Sequence, residues 1–158
     1  TYKTYGLYTQ LMSQLQSGQT VWLSKPFGHF TAEIAAGKRP VVFVAGGIGI
    51  TPFIQHIAEP TTEQWLFYSN PTPSAAPYND WLITQLGDHL VDLYMEKPAD
   101  APGATGYVEA VTFQKHLNDP TRYDYYLCGS ANMISLATTS LLSLGVTPER
   151  IHTEKFSI

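Results

Sequence analysis

The chain has 158 residues, enough for one domain with a sizeable core or one domain and part of another. Its formal net charge is −4 with no basic run, which excludes the electrostatic footprint of a nucleic-acid binder. Only 14% of residues are charged, against roughly 25% in an average soluble domain, so this aromatic-rich surface expects a ligand, a cofactor or a neighbouring domain.

From the N-terminus, "TQLMSQLQ" reads as a short helix, and "GQTVWLSKPFGHF" as two short strands joined through Pro26 and Gly28. Such a stretch is too short to bury a core of its own and must pack on something larger. From about residue 40 the pattern changes. Short β-rich runs at 40–45, 64–69, 90–95, 124–128 and 150–154 alternate with apolar residues at helical spacing in 51–58, 77–86, 109–117 and 131–144. In the last of these, Met133, Leu136, Leu141, Leu142 and Leu144 share one broad face until Gly145 stops the helix. Strands separated by helices imply crossovers and a parallel sheet. The expected fold is a doubly wound α/β domain of five parallel strands.

The single Cys128 excludes an internal disulfide, and a reducing, cytoplasmic setting is the default. The apolar run 41–50 is too short to span a bilayer, so no transmembrane segment is expected. Nothing resembles a signal peptide, and Thr1 in place of an initiator Met reads as a fragment or a processed chain.

The stretch "AGGIGITPF" at 45–53 follows the apolar run "PVVFV" directly. Gly46, Gly47 and Gly49 therefore stand where a strand must turn into a helix, with Thr51 as an expected N-cap and Pro52 at the first helical position. Glycines admit a ligand close to the backbone, and the free N–H groups of a helix start favour an anion. This is a candidate pyrophosphate seat. It departs from G-x-G-x-x-G, because Pro52 holds the third glycine position. The acid expected about 20 residues on is also missing, since strand 64–69 ends in Ser69-Asn70, and an ordinary dehydrogenase is disfavoured. A P-loop NTPase fails as well, since no Gly-Lys-Ser/Thr follows.

The second constellation is "CGSANM" at 128–133: Cys128 ends a strand, Gly129 turns the chain, and Ser130 caps the next helix. In the strand order 3-2-1-4-5 these two loops face one crevice at the topological switch point. The histidines at 29, 56, 89, 116 and 152 show no metal-ligand spacing, and no metal site is expected.

Together these stretches resemble the ferredoxin-NADP reductase superfamily, particularly its bacterial flavin reductase and oxygenase-reductase branches. "AGGIGITPF" is similar to the family's pyrophosphate loop, and "CGSANM" to its Cys-Gly-Pro loop with Ser130 in place of Pro. Gly106-Tyr107-Val108 stands where the family usually has a Gly-Arg-hydrophobic step, and "EKF" at 154–156 resembles its C-terminal acid and aromatic. Residues 6–30 resemble the end of the family's flavin barrel, with Gly6 and Thr9 at a turn and helix start, then Gly28 and Phe30 in a Pro-x-Gly-x-Phe strand. The family's Arg-x-Tyr-Ser/Thr segment, which holds the flavin, has no counterpart in the chain.

The resemblance implies a C-terminal remnant of an antiparallel FAD-binding barrel over 1–36 and an NAD(P)-binding domain over 37–158. It implies a hydride passing from NADH or NADPH to FAD, then electrons to an iron–sulfur protein, a haem or a flavin. Cys128 and Glu154 become the catalytic candidates, beside the nicotinamide ring and the transfer site. Gly46, Gly47, Gly49, Thr51, Pro52, Ser69, Asn70, Tyr78, Gly129, Ser130, Met133, Thr9, Gly28, Phe30 and Phe156 become the cofactor-binding candidates, Tyr78 packing on adenine and Phe156 covering the flavin. The implied partners are a missing FAD-binding domain and a redox acceptor protein, and the chain alone is expected to be inactive. No Arg or Lys occurs from 66 to 96, which favours NADH. A different class of reading treats the chain as a non-catalytic nucleotide-binding or regulatory module that docks on a partner.

Overall fold

The computed structural model describes residues 6–25, 28–31, 34 and 39–155. Six strands form one parallel sheet: β1 (Val41–Gly46), β2 (Gln64–Asn70), β3 (Leu90–Tyr94), β4 (Ala104–Thr105), β5 (Asp124–Gly129) and β6 (Ile151–Lys155). Their order is β4-β3-β2-β1-β5-β6. The five expected strands are present in the expected order. The sixth, β4, is a two-residue edge strand beside β3, too short to leave a hydrophobic pattern.

β1 is apolar along its length because it lies at the centre, paired with β2 on one side and β5 on the other, with both faces covered. Its side chains divide by the two-residue alternation of a strand. Val42 and Val44 pack with Phe113 of α4 (Ala110–His116) and with Ile134, Ala137 and Leu141 of α5 (Ala131–Ser143). Val41, Phe43 and Ala45 pack on the other face with Ile57 of α2 (Ile54–Ala58) and Leu82 of α3 (Asn79–Leu86). Helices therefore cover both sides of the sheet.

α5 ends as its sequence predicts. Gly145 adopts φ +84, its N–H donates to the Leu142 carbonyl, and the Val146 N–H donates to the Leu141 carbonyl. These bonds satisfy carbonyls that the helix end would otherwise leave unpaired, and Leu141 and Val146 are both buried in the same cluster.

The N-terminal stretch departs from expectation. α1 (Leu7–Ser13) forms, but no strand occurs among the described residues between 18 and 30. Trp22 is 95% exposed and Leu23 89% exposed, so nothing described lies against them. A strand needs a neighbour to take its backbone N–H and C=O groups, and β propensity alone does not supply one. The antiparallel barrel remnant is thus not seen as strands. The expected boundary at residues 36 and 37 lies outside the described residues.

Candidate functional site

β1 and β5 run side by side with Ala45 opposite Cys128, so both deliver their loops to the same edge of the sheet. The glycines there serve the approach of one turn to the other. A Cβ on Gly129 would lie 3.2 Å from the Gly46 Cα and 2.6 Å from the Met133 Cε, and one on Gly46 would lie 2.8 Å from the Met133 Sδ. A Cβ on Gly49 would collide with the Cys128 carbonyl. Gly47 has φ +53, in the left-handed region where a side chain is strained.

The helix after β1 begins earlier than its sequence predicts. Gly47–Phe53 is a 3-10 helix that leads directly into α2. Thr51 is therefore inside a helical turn, and Pro52 lies within it too, not at the first position. The Thr51 hydroxyl donates to the Ile48 carbonyl at 3.0 Å, where an N-cap oxygen would accept. On the other side, Ser130 is the N-cap of α5, and its hydroxyl accepts from the Met133 N–H at 3.3 Å. Two helix starts, at Gly47 and Ser130, thus stand beside touching turns, and N–H groups at helix starts are of the kind that favour an anion.

The ends of β2 and β3 continue this edge. Ser69 and Asn70 are both buried, but strand alternation places them on opposite faces, and Asn70 shares the α2/α3 face with Tyr68. The Asn70 amide makes no well-aligned hydrogen bond within the protein, and its nearest polar neighbour is the Tyr68 hydroxyl. Its neighbour in register is Tyr94, whose buried hydroxyl lies beside the Asp92 carboxylate and the Asn79 amide. Burial, with the Asp92 charge nearby, pushes the Tyr94 phenol up to about 12. Asp92 lies on the same face, and the Asn79 amide, turned with its nitrogen inward, donates to its carboxylate at 3.2 and 3.3 Å. Burial raises the Asp92 pKa, and the Asn79 bond opposes that shift. Tyr78 immediately precedes α3 with φ +63 and is 44% exposed.

Cys128 is fully buried, in the cluster that holds Ala45, Ile50 and Phe53. Burial first, and then the charge of Glu154, pushes its thiol up to about 12. Glu154 is exposed on β6, opposite Cys128 in register. Tyr126 stacks on His152 at 4.6 Å on the same side, and Phe30 meets both Tyr126 and Phe53 at 5.9 Å.

The structure thus brings Gly46, Gly47, Gly49, Thr51 and Pro52 together with Gly129, Ser130 and Met133, and sets Asn70 and Tyr78 beside them through Tyr68. Ser69 points to the other face. Thr9 and Gly28 are not part of this grouping: the Thr9 hydroxyl donates to the Gly6 carbonyl, and a Cβ on Gly28 would meet nothing within 4 Å. Phe156 lies outside the described residues. Sequence reasoning missed Tyr68, Asn79, Asp92 and Tyr94, whose spacing carries no motif, although the alternation of "QWLFYSN" already sets Tyr68 and Asn70 on one face. Among the described residues no group of three or more His, Cys, Asp or Glu side chains could hold a metal ion, and no helix is long and apolar enough to cross a membrane.

Residues 43–139, which contain both glycine turns, match the family model described as "Oxidoreductase NAD-binding domain". The chain is 26% identical over 166 residues to a subunit of the Na(+)-translocating NADH-quinone reductase of Methylococcus capsulatus, covering 96% of the chain and 40% of that protein. It is 26% identical to the carnitine monooxygenase reductase subunit of Escherichia coli, covering 94% of the chain and 44% of that protein. The fold is similar to the cytochrome b5 reductase domain of Ulva prolifera nitrate reductase, with a TM-score of 0.77, 19% identity, and coverage of 96% of this chain and 64% of that one. The chain thus spans about two fifths of the length of the first curated relatives it matches. The pattern of two glycine turns on adjacent parallel strands and the matched family model agree: this chain belongs to the oxidoreductase NAD-binding domain family of ferredoxin reductase-like proteins.

Proposed function

We propose that the chain is the nicotinamide-dinucleotide-binding part of an NAD(P)H-dependent flavin reductase. The observation that carries this reading is the contact between the Gly46 and Gly129 turns, which sets the helix starts at Gly47 and Ser130 beside one another. The residues present fit a dinucleotide. Gly47 to Pro52 and Ser130 would take the pyrophosphate, since both segments offer helix-start N–H groups. Asn70 has a buried amide with spare hydrogen-bonding capacity beside the Tyr68 hydroxyl with which to meet a ribose hydroxyl, and Tyr78 has an exposed face on which adenine can rest. When bound, the nicotinamide supplies a hydride. Cys128, protonated and packed below the turn, would limit where that ring lies, and Glu154 would be its polar neighbour on β6.

Among the described residues, the Thr9 hydroxyl donates to the Gly6 carbonyl and the Phe30 ring packs on Phe53 and Tyr126, which supports a flavin held mainly by another domain. The proposed partners are therefore a flavin-binding domain, supported by the greater length of the relatives, and an electron acceptor of iron–sulfur, haem or flavin type. FAD should bind the chain alone only weakly.

NADH is the favoured nucleotide. No cation occurs from 66 to 96, and the Lys97 ammonium donates to the Ala101 carbonyl at 2.7 Å and the Pro98 carbonyl at 3.3 Å, within its own loop. A 2′-phosphate would meet no free positive charge along this stretch and would have Asp92 nearby. Calorimetric titration of the chain with NADH and with NADPH tests this. NADH is expected to bind and NADPH to bind about tenfold more weakly or worse. Equal affinities, or no affinity for either, contradict the proposal.

A further inference from the structure

Tyr68 is fully buried on the α2/α3 face, and its hydroxyl lies 3.2 Å from the Gly47 carbonyl and 3.3 Å from the Pro77 carbonyl. Those carbonyls belong to the two left-handed turns at the site. Gly47 itself has φ +53, and Tyr78, directly after Pro77, has φ +63. A tyrosine at positive φ is strained and persists only where its surroundings hold it there. The two turns come from different crossovers, one following β1 and the other following β2, and the end of β2 lies between them. A phenol has one hydrogen to give, so these two carbonyls share a single donor. The hydroxyl is kept a donor, since burial pushes the Tyr68 pKa upward against the opposing effect of the neighbouring Asn70 amide, which can donate to the phenol oxygen while the phenol hydrogen serves the carbonyls.

We propose that the Tyr68 hydroxyl is a positioning group for the dinucleotide seat, fixing the distance between the turn at Gly47 and the turn at Tyr78. A ligand whose pyrophosphate rests on the first and whose adenine rests on the second must match that span. The ring of Tyr68 fills the core, and only its oxygen spans the turns. Phenylalanine would keep the packing and release the two turns from each other. Ligand affinity then falls because the seat is no longer preorganised. This assignment rests on the dinucleotide reading given above.

ADP-ribose, which carries both ends of that span, is the probe. Its affinity is measured by calorimetry, beside melting temperature, for the parent, Tyr68→Phe, Tyr78→Ala, the double variant and Tyr125→Phe. Tyr125 is the control, since its hydroxyl also donates to a carbonyl, that of Pro120 at 2.7 Å, and its buried ring lies on the other face of the sheet. Tyr68→Phe is expected to bind about tenfold more weakly, the effect of one lost hydrogen bond. Tyr125→Phe is expected to melt earlier and bind like the parent. In the double variant the combined fold-loss should be smaller than the product of the two single losses, because both act through the Tyr78 turn. A measurement on the parent does not depend on any variant folding: the Tyr68 Cζ resonance of tyrosine-labelled protein should move when ADP-ribose binds. Parent-like affinity in Tyr68→Phe, an equal loss in Tyr125→Phe, independent losses in the double variant, or a stationary Cζ resonance overturns the assignment. A parent that binds no ADP-ribose overturns the dinucleotide reading and this assignment with it, whereas binding with an unaffected Tyr68→Phe overturns this assignment alone.

Discussion

Cys128 illustrates how burial selects among the things a side chain can do. Its thiol is pushed up to about 12, so it stays protonated across the physiological range. Thiol nucleophilicity belongs to the thiolate, and burial therefore disfavours covalent chemistry at this residue. What remains is shape: a small, neutral group beneath the turn that joins β5 to α5. The folded chain should resist a disulfide reagent at pH 8 and label fully once unfolded in denaturant. Rapid stoichiometric labelling of the native protein would show an exposed or ionised thiol and remove the packing role. Asn70 is the opposite case, a buried amide with no well-aligned hydrogen bond and only the Tyr68 hydroxyl close by, which costs stability unless something meets it. Its surroundings could not be read from "YSN", because partners depend on which strands and loops fold against one another.

At the scale of elements, the close pairing of two turns organises the site. The β1 turn approaches the β5 turn until Gly49 lies against the Cys128 carbonyl, with no room for a Cβ. Gly49→Ala must push one backbone away from the other, and relief through side-chain rotation is not available. Overpacking of this kind costs about 1–3 kcal/mol or more, and a melting point lowered by roughly 2–10 °C is expected. Calorimetric melting of the variant checks this, and an unchanged melting point would mean the turns do not meet as described. The glycine pattern marked this region in the sequence, and it marked it for a ligand. The structure gives Gly46, Gly49 and Gly129 a second reason, the approach of protein to protein. The same stretch shows why helix starts are hard to place from a pattern. Thr51-Pro52 has the composition of a cap, yet the chain coils from Gly47 onward, and the 3-10 turn turns that threonine inward to donate to Ile48. Ser130, with no competing turn ahead of it, caps as its sequence predicts.

At the scale of the whole molecule, the sheet order carries the functional argument. Strands are added outward from β1 to β4 and then from β5 to β6, so the reversal falls between β1 and β5, where open α/β sheets leave a crevice at their carboxyl ends. This much was legible in alternating short strands and helices, because a buried parallel strand must be apolar on both faces. The N-terminal stretch was not. Leu7, Tyr8, Leu11, Trp22 and Leu23 are exposed apolar residues whose pattern alone says they need cover, while their strands would depend on neighbours that a pattern does not contain. The proposed function requires the dinucleotide to lie across the β1/β5 reversal. The most direct test is to titrate NADH into the nitrogen-15-labelled chain and follow its backbone amides. The predicted result is shifts concentrated at Gly46 to Phe53, Asn70 to Asn79 and Gly129 to Met133, with the opposite edge of the sheet, at Glu63, Tyr123 and Thr147, unmoved. Shifts centred on that opposite edge, or none at saturating NADH, would contradict it.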